Sequence, residues 1–317
     1  MELSERIIDA EKRIRPYLRE TPLEYSHVLS RMTGSEVHLK LENIQITGSF
    51  KARGSLNKIL LLKDSKAKIV TASTGNHGLG VANALSIVKK DGTIYLPHGA
   101  SESKVEAIKM RGVPVEFHGN NSEETELYVR KLSETSDQVY VSPYNDVDVV
   151  AGQGTIGVEL MRQLPKMDAV FISVGGGGLI AGIAAYLKSV NPKIEVVACF
   201  PENSPVMYEC IKAGEIIEVA EKPTLSDGTA GGIEKGTITF EICQRCIDTY
   251  VLVTEDEIAE SMKLVLKHHH QIIEGSAGVA VASLIKMKDN YKNKNSAILI
   301  CGGNVSEAVL KKLMCNG

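Results

Sequence analysis

The chain is organised around Thr47-Gly48-Ser49-Phe50-Lys51-Ala52-Arg53-Gly54. The alternating segment Val37–Leu41 before it is typical of a strand, and Ser55–Leu62 after it has the composition of a helix. Lys51 is therefore predicted near the start of a helix, where negative charge is favoured over an ammonium group. A lysine whose charge is disfavoured loses its proton more easily and becomes a nucleophile. Lys51 is a candidate for covalent chemistry, and the alternative is a solvated loop lysine.

Length and composition limit the classes of protein to consider. With 317 residues, 43% of them apolar and 24% charged, the chain has the composition of a globular protein of about two domains. The net charge of −3 gives no indication of a nucleic-acid or membrane-binding surface. No run of 18 apolar residues predicts a membrane span, and the acidic N-terminus does not resemble a signal peptide.

The six cysteines are dispersed along the chain. Cys243 and Cys246 form a lone C-x-x-C pair, which helical spacing explains better than zinc or redox chemistry. Dispersed reduced thiols are typical of proteins in a reducing compartment, so we expect a cytoplasmic location.

Strands and helices alternate along most of the chain. Strands are predicted at Ala67–Ala72, Gly92–Leu96, Val113–Phe117, Gln138–Val141, Asp168–Val174, Lys193–Phe200 and Ser296–Cys301. Helices are predicted at Leu79–Lys89, Glu102–Arg111, Glu123–Glu134, Gln153–Gln163, Leu179–Val190, Glu255–His270 and Ser276–Lys288. This alternation is typical of βαβ units with parallel strands. Because the strands are too many for one sheet, we expect two α/β domains, each with a parallel sheet.

A run of four glycines, Gly175–Gly178, lies between a predicted apolar strand and a predicted apolar helix. Glycines at this place allow backbone N–H groups to close around an anion at a helix N-terminus. The run matches neither G-x-G-x-x-G nor the P-loop pattern, and it suits a single phosphate group. A simple tight turn needs only one or two glycines.

Two further loops follow predicted strands. Ser73-Thr74-Gly75-Asn76-His77-Gly78 offers hydroxyls, an amide and free N–H groups, which suit a carboxylate, and helix capping is the alternative. Cys301-Gly302-Gly303-Asn304 follows the last strand. Loops at the carboxyl ends of parallel strands gather in one cleft. A lysine, a phosphate-binding loop and a carboxylate-binding loop together indicate pyridoxal 5′-phosphate as the cofactor.

These motifs resemble the threonine/serine dehydratase and serine racemase family. The matching segments include Ser49–Gly54, Ser73–Gly78, Pro143–Asn145 with Ala151–Thr155, the glycine run and Cys301–Asn304. The resemblance implies a fold-type II pyridoxal-phosphate enzyme, similar to the tryptophan synthase β subunit. It also implies a large cofactor-binding domain, residues 1–65 plus 147–317, and a small domain, residues 66–146, that carries the substrate-carboxylate loop.

The resemblance also assigns roles to individual residues. Lys51 would attach the cofactor covalently and act as the catalytic base, and Thr74 would be a further catalytic group. The cofactor would be held by Phe50, Asn76, Gly175, Gly176, Gly177, Gly178, Leu179 and Cys301. The substrate carboxylate would be bound by Ser73, Thr74, Gly75 and His77. Cys301 would face the pyridine nitrogen, and because a thiol is a weak donor, the ring nitrogen should stay largely unprotonated.

The activity implied is that of an ammonia-lyase. It would convert a β-hydroxy amino acid such as L-threonine or L-serine to a 2-oxo acid and ammonia by α,β-elimination. The alternative is a serine racemase with side dehydratase activity, because the resemblance implies a serine at position 74 in racemases and the Thr74 hydroxyl could reprotonate the opposite face. A nucleotide-binding oxidoreductase is disfavoured, since the expected G-x-G-x-x-G is missing.

The resemblance also bears on metals and assembly. Relatives with racemase activity often carry a divalent-metal site after the strand that corresponds to Lys193–Phe200. Phe200 and Val206 stand where acidic residues would be needed, and hard cations require oxygen ligands, so no metal is expected there. The expected partners are a small amino-acid substrate and a second copy of the chain, with no nucleic acid and no membrane.

Overall fold

The computed structural model describes residues 2–315, apart from the side chain of Ser103. Its strands are β1 Leu23–Tyr25, β2 Glu36–Leu41, β3 Lys68–Ala72, β4 Gly92–Leu96, β5 Val115–Phe117, β6 Gln138–Tyr140, β7 Ala169–Ser173, β8 Glu195–Pro201, β9 Thr249–Val253 and β10 Asn295–Ile300. Its helices are α1 Leu3–Ile14, α2 His27–Thr33, α3 Lys51–Leu61, α4 Asn76–Val88, α5 Glu102–Lys109, α6 Ser122–Glu134, α7 Val147–Gln163, α8 Gly178–Val190, α9 Val206–Ala213, α10 Ile238–Cys246, α11 Glu255–His269, α12 Gly275–Lys286 and α13 Glu307–Cys315.

The strands form two sheets. The larger has the order β1-β2-β10-β7-β8-β9, and its neighbouring strands are parallel except where β1 pairs with β2. The smaller has the order β5-β4-β3-β6 and is parallel throughout. The prediction of an α/β fold with two parallel sheets is thereby confirmed. The smaller sheet takes its strands from residues 68–140, and the exact domain boundaries given above remain a prediction.

Several elements differ from the sequence prediction. The short elements β1, α2, α9, α10 and β9 were not predicted, since pieces of three to nine residues carry a weak periodic signal. Helix α7 begins at Val147, six residues before its predicted start, because the Asp146 side chain accepts hydrogen bonds from the Asp148 and Val149 N–H groups and caps it. Glycines in the first half of α7 lower its helix propensity, so the sequence did not predict that half as helical.

Those glycines serve helix packing. A Cβ atom at Gly152 would lie 2.6 Å from Gly54 Cα on α3, and a Cβ atom at Gly154 would lie 2.8 Å from the Gly182 carbonyl oxygen on α8. A larger side chain at either position would separate the helices. The low helix propensity of glycine is therefore overridden by close packing of α7 against its two neighbours.

Helix α3 lies between the two cores of the molecule. One hydrophobic core surrounds the larger sheet, and Phe50, immediately before α3, packs against it. A second core surrounds the smaller sheet, and Ala52, Leu56 and Ile59 of α3 belong to it. Lys51, the first residue of α3, is thus placed where the two cores meet. Among the described residues, no helix is long and apolar enough to cross a membrane.

Candidate active site

Backbone hydrogen bonds join the loop that carries Lys51 to the loop after β10. The Phe50 N–H group donates to the Cys301 carbonyl at 3.0 Å, and the Gly303 N–H group donates to the Gly48 carbonyl at 2.9 Å. Gly48 has a φ of 72°, a conformation that favours glycine. Two of the loops that the sequence predicted to converge are therefore in direct contact.

The Lys51 side chain is partly buried, and among residues 2–315 no carboxylate is in hydrogen-bond contact with its amine. Its Nζ donates to the Pro143 carbonyl at 2.9 Å and lies 5.3 Å from the centre of the Phe50 ring. Burial lowers the pKa of Lys51 to about 8, and the more distant Glu274 and Cys301 oppose that shift only partly. We expected the helix start to lower the pKa of Lys51, whereas in the structure burial is the main cause. Part of the amine is neutral near pH 8.

Asn76, the first residue of α4, is held by two partners. Its Nδ2 donates to both carboxylate oxygens of Glu274 at 3.0 and 3.1 Å, and its Oδ1 accepts from Asn304 Nδ2 at 2.7 Å. Glu274, the residue before α12, is 4% exposed. Burial raises the pKa of Glu274 to about 7. A carboxyl group that titrates near neutrality therefore lies beside the predicted cofactor residues.

Cys301 is buried between two polar side chains. Its Sγ lies 3.7 Å from Glu274 Oε1 and 3.6 Å from Ser173 Oγ. Burial, with the nearby Glu274 carboxylate, raises the pKa of the Cys301 thiol well above its ordinary value. The thiol therefore stays protonated and is a weak hydrogen-bond donor.

The predicted carboxylate loop lies between β3 and α4. Ser73 Oγ accepts from the Gly75 N–H group at 3.2 Å, and Thr74 is half-buried. A Cβ atom at Gly75 would meet no atom within 4 Å, so there is open space beside the loop. The loop leads directly into the N-terminus of α4, which has no side-chain cap among the residues that the structure describes, and a helix N-terminus suits a carboxylate.

His77 has a different environment from the rest of that loop. It is buried, and its Nε2 lies 2.8 Å from the Val141 carbonyl oxygen. Burial, together with the charge of Lys51, lowers the pKa of His77 to about 3. The imidazole is therefore neutral and brings no positive charge to the predicted carboxylate site.

The glycine run connects β7 to α8 and is tightly packed. Gly177 has a φ of 83°, and a Cβ atom at Gly176 would lie 2.5 Å from the Tyr144 ring. Within residues 2–315, the N–H groups of Gly175, Gly176 and Gly177 donate to no backbone carbonyl. They remain free at the N-terminus of α8, where Leu179 lies buried in the first turn. This arrangement suits a phosphate group.

Pro143 and Tyr144 link the lysine to the glycine run. The Pro143 carbonyl accepts the hydrogen bond from Lys51, and the next side chain, Tyr144, lies against Gly176 and Gly178. The structure thus connects Lys51, the glycine run and the loop after β10 through adjacent contacts. No direct contact joins Thr74 to Lys51 among the hydrogen bonds of the described residues.

Two residues at the site, Tyr144 and Asn304, were assigned no individual role from the sequence. Glu274 lies in a segment that matches the family, and the expectation for it was either to tune protonation or to cap the next helix. All three lie within segments that carried a signal, since Asn304 ends the Cys301–Asn304 motif and Glu274 precedes a glycine-containing helix start. Their contacts could not be read from the sequence, because Glu274 and Asn76 are 198 positions apart.

The place where relatives with racemase activity often bind a divalent metal, and where no metal is expected in this chain, is apolar. Phe200 and Val206 are both buried. In the part of the chain that the structure describes, no group of three or more His, Cys, Asp or Glu side chains could hold a metal ion.

The residues present fit pyridoxal 5′-phosphate. Lys51 offers an amine that forms no ion pair with a carboxylate within the described residues, so it is available for covalent bonding. The free N–H groups of the glycine run match a phosphate, and the Cys301 thiol is a neutral partner for a ring nitrogen. No ion pair of the described residues has to be broken for these groups to contact the cofactor.

Comparisons with known proteins agree with this site. The sequence matches the family described as Pyridoxal-phosphate dependent enzyme over residues 14–302. It is 40% identical to an L-threonine ammonia-lyase from Thermotoga maritima over 316 residues, 99% of this chain and 78% of the relative. These matches confirm the family resemblance that the motifs indicated.

Solved structures show the same similarity. A processed threonine deaminase isoform 2 from Solanum lycopersicum is 33% identical with a TM-score of 0.93, over 98% of this chain and 92% of that one. A serine racemase from Dictyostelium discoideum is 36% identical with a TM-score of 0.88, over 96% of this chain and 98% of that one. The two-sheet architecture is therefore shared with these proteins.

Proposed function

The chain belongs to the family of pyridoxal-phosphate dependent enzymes, and we propose that it is an ammonia-lyase acting on a β-hydroxy amino acid such as L-threonine or L-serine. The products would be a 2-oxo acid and ammonia. Its cofactor is pyridoxal 5′-phosphate. The observation that carries the proposal is Lys51, an amine whose pKa burial lowers to about 8 in contact with the segment that packs on the glycine run.

The cofactor and the protein divide the chemistry. When bound, pyridoxal phosphate withdraws electrons from the α-carbon of an attached amino acid and acidifies its α-proton. Lys51 would hold the cofactor and, once its Nζ is free, would take that proton as general base. A pKa of about 8 suits both roles, because the neutral amine is present at physiological pH.

Other residues would bind and orient. The N–H groups of Gly175–Gly178 and Leu179 would hold the phosphate, with Phe50 and Asn76 beside the ring. Ser73, Thr74, Gly75 and the start of α4 at His77 would bind the substrate carboxylate. A protonated Cys301 would be only a weak hydrogen-bond donor to the ring nitrogen, which would therefore stay largely unprotonated. An unprotonated ring is a weaker electron sink, and this favours rapid loss of the β-hydroxyl over transamination.

A second candidate function is serine racemisation. It is supported by the Thr74 hydroxyl in the carboxylate loop and by the 36% identity to the Dictyostelium discoideum serine racemase. Thr74 would then return a proton to the face of the α-carbon opposite Lys51.

We also propose a homodimer in the cytoplasm. The dimer rests on the family resemblance alone. The location is supported by the six cysteines, all of which are free thiols in the structure, as expected in a reducing compartment.

Two measurements test the proposed function. Incubation with L-threonine and with L-serine should release a 2-oxo acid and ammonia, with no D-serine formed. D-serine formation would select the racemase. Borohydride should bleach the yellow protein and leave the reduced cofactor on the Lys51 peptide, as seen by mass spectrometry. A colourless protein without the Lys51 adduct would contradict both candidates.

A further inference from the structure

A cavity lies at the end of β3 that is opposite the Ser73–Gly75 loop. Its volume is about 670 Å³, and it is lined by the amino ends of β3 and β4, the C-terminal end of α4 and the turn after α5. Small-molecule sites in proteins commonly have volumes of roughly 300–1,000 Å³. The cavity is therefore large enough for a small ligand that does not compete with the amino-acid substrate.

Basic side chains dominate the lining of this cavity. The four cationic members, which we call the basic cluster, are Lys68, Lys89, Lys90 and Arg111. The lining contains one carboxylate, Asp91, so the formal charge around the cavity is four minus one, or +3. The charge is concentrated at one place in a chain whose overall charge is −3.

The basic cluster is not neutralised by the protein. Within residues 2–315, no ion pair of 4.0 Å or less joins any of its four members to a carboxylate. By contrast, the partly buried Lys58 pairs with both Asp146 and Asp148. Cations without carboxylate partners repel one another, and an anion in the cavity would relieve that repulsion.

Two members are already held in position by backbone contacts. Arg111 Nη1 donates to the Ala107 carbonyl at 2.9 Å, and Lys90 Nζ donates to the Ser65 carbonyl at 2.5 Å. Burial lowers the pKa of Arg111, and no carboxylate offsets that cost. A guanidinium group has five N–H donors, so Arg111 keeps donors for a ligand. Side chains fixed in this way lose little entropy on binding.

We propose that the basic cluster binds an oligophosphate, that is, a small anion with two or more linked phosphoryl groups. A guanidinium group pairs with two phosphate oxygens at once, and ammonium groups act as point charges beside them. A charge of +3 calls for more than one phosphoryl group. The lining has no aromatic side chain on which a base could stack, so the phosphates themselves would be recognised.

Titration calorimetry on the full-length, cofactor-loaded protein tests this proposal. Bound cofactor occupies the glycine run, which removes phosphate binding there from the signal. Inorganic pyrophosphate should bind once per chain and weaken as salt rises, and monophosphate should bind at least about tenfold more weakly. ADP should bind about as tightly as pyrophosphate. Absence of pyrophosphate binding, or equal binding of monophosphate, would overturn the proposal.

Matched variants separate the site from general surface charge. Arg111→Gln and Lys89→Gln should each weaken pyrophosphate binding about tenfold, since each removes a charge-assisted contact. Lys109→Gln removes a neighbouring exposed lysine that does not line the cavity and should leave the affinity unchanged. Lys89 is exposed, so its variant tests the site even if Arg111→Gln folds poorly. An equal loss in Lys109→Gln would overturn the proposal.

Discussion

Two sets of ionisable side chains meet the first turn of α3 and differ in their pairing. At the candidate active site, Lys51 contacts a backbone carbonyl and Glu274 contacts an amide and a thiol. Two residues after Lys51, Arg53 donates to both carboxylates of a second set, Glu42 and Glu159, with four hydrogen bonds of 2.8–2.9 Å. We call Arg53, Glu42, Glu159 and Lys40 the paired cluster.

Pairing decides the direction of the pKa shifts. Burial disfavours charge on Glu159, but Arg53 and Lys40 outweigh it and lower the pKa of that carboxyl to about 2. Burial is likewise outweighed at Arg53, whose pKa is raised. Glu274 has no such cation in hydrogen-bond contact, so burial raises its pKa to about 7. Lys40 is the exception, because burial outweighs Glu159 and lowers the pKa of Lys40.

The difference separates a set of paired charges from a set whose pKa values lie near neutrality. The paired cluster joins α3 to α7 and to the end of β2 through buried ion pairs. The weakly compensated groups Lys51 and Glu274 titrate near neutrality, where proton transfer is efficient. Helix α3 carries one residue of each kind within one turn. Variants of each set should therefore affect different properties.

The largest effect is expected from Lys51→Ala. Turnover of L-threonine should fall by about 10²–10⁴-fold from loss of the base alone, and the cofactor should no longer be fixed by borohydride. The unfolding midpoint should change little, because no ion partner is left unpaired. Steady-state assays and thermal unfolding measure the two properties. Lys63→Ala, an exposed lysine just beyond α3, serves as the control, and wild-type turnover in Lys51→Ala would refute the proposed function.

The next effect is expected from Glu159→Gln. Removing one member of a buried ion pair leaves Arg53 and Lys40 incompletely compensated, which typically costs about 3–5 kcal/mol. Urea unfolding should show that loss in the free energy of unfolding. Glu307→Gln, which breaks an exposed pair with Lys311, should change it by less than about 0.5 kcal/mol. Similar values for the two variants would mean that burial of the paired cluster has no energetic consequence.

A smaller effect on stability is expected from Glu274→Gln, and it should depend on pH. The pKa of Glu274 rises from an ordinary 4.5 to about 7 on folding. The folded state thus holds this proton more tightly, and its contribution to stability is complete below pH 4.5 and declines as pH rises to 7. The decline amounts to roughly 3 kcal/mol by linkage. His77, whose pKa is lowered to about 3, makes a contribution that rises with pH below about 6.5, and it does so equally in the wild type and the variant. Unfolding of the cofactor-free proteins at pH 5 and pH 8 should therefore show the decline as a loss in the stability difference between the wild type and Glu274→Gln.

Glu159 provides the internal contrast for that experiment. Because the pKa of Glu159 is lowered to about 2 on folding, its contribution to stability is present above pH 4.5 and lost as pH falls toward 2. Glu159→Gln should therefore alter the acid side of the stability profile and leave the interval from pH 5 to pH 8 unchanged. If both variants altered the same interval, the distinction between the two sets would fail.

The sequence predicted local features more reliably than contacts between distant segments. The strand, turn and helix around Lys51 were evident because periodicity and glycine placement are local properties. The convergence of loops followed from the rule that parallel strands end at one edge. Helix α7 was predicted too short, because its glycines reflect contact with α3 and α8 and not a turn.

The amino-acid sequence alone determined the alternation of strands and helices, the lysine at a helix start and the loops that suit a phosphate and a carboxylate. Only the tertiary structure decided which charges are paired. Lys51 and Arg53 are two positions apart, yet burial lowers the pKa of the former while Glu42 and Glu159 raise that of the latter. The physical reason is that charge energies depend on distance and burial, which are set by packing between segments far apart in the chain.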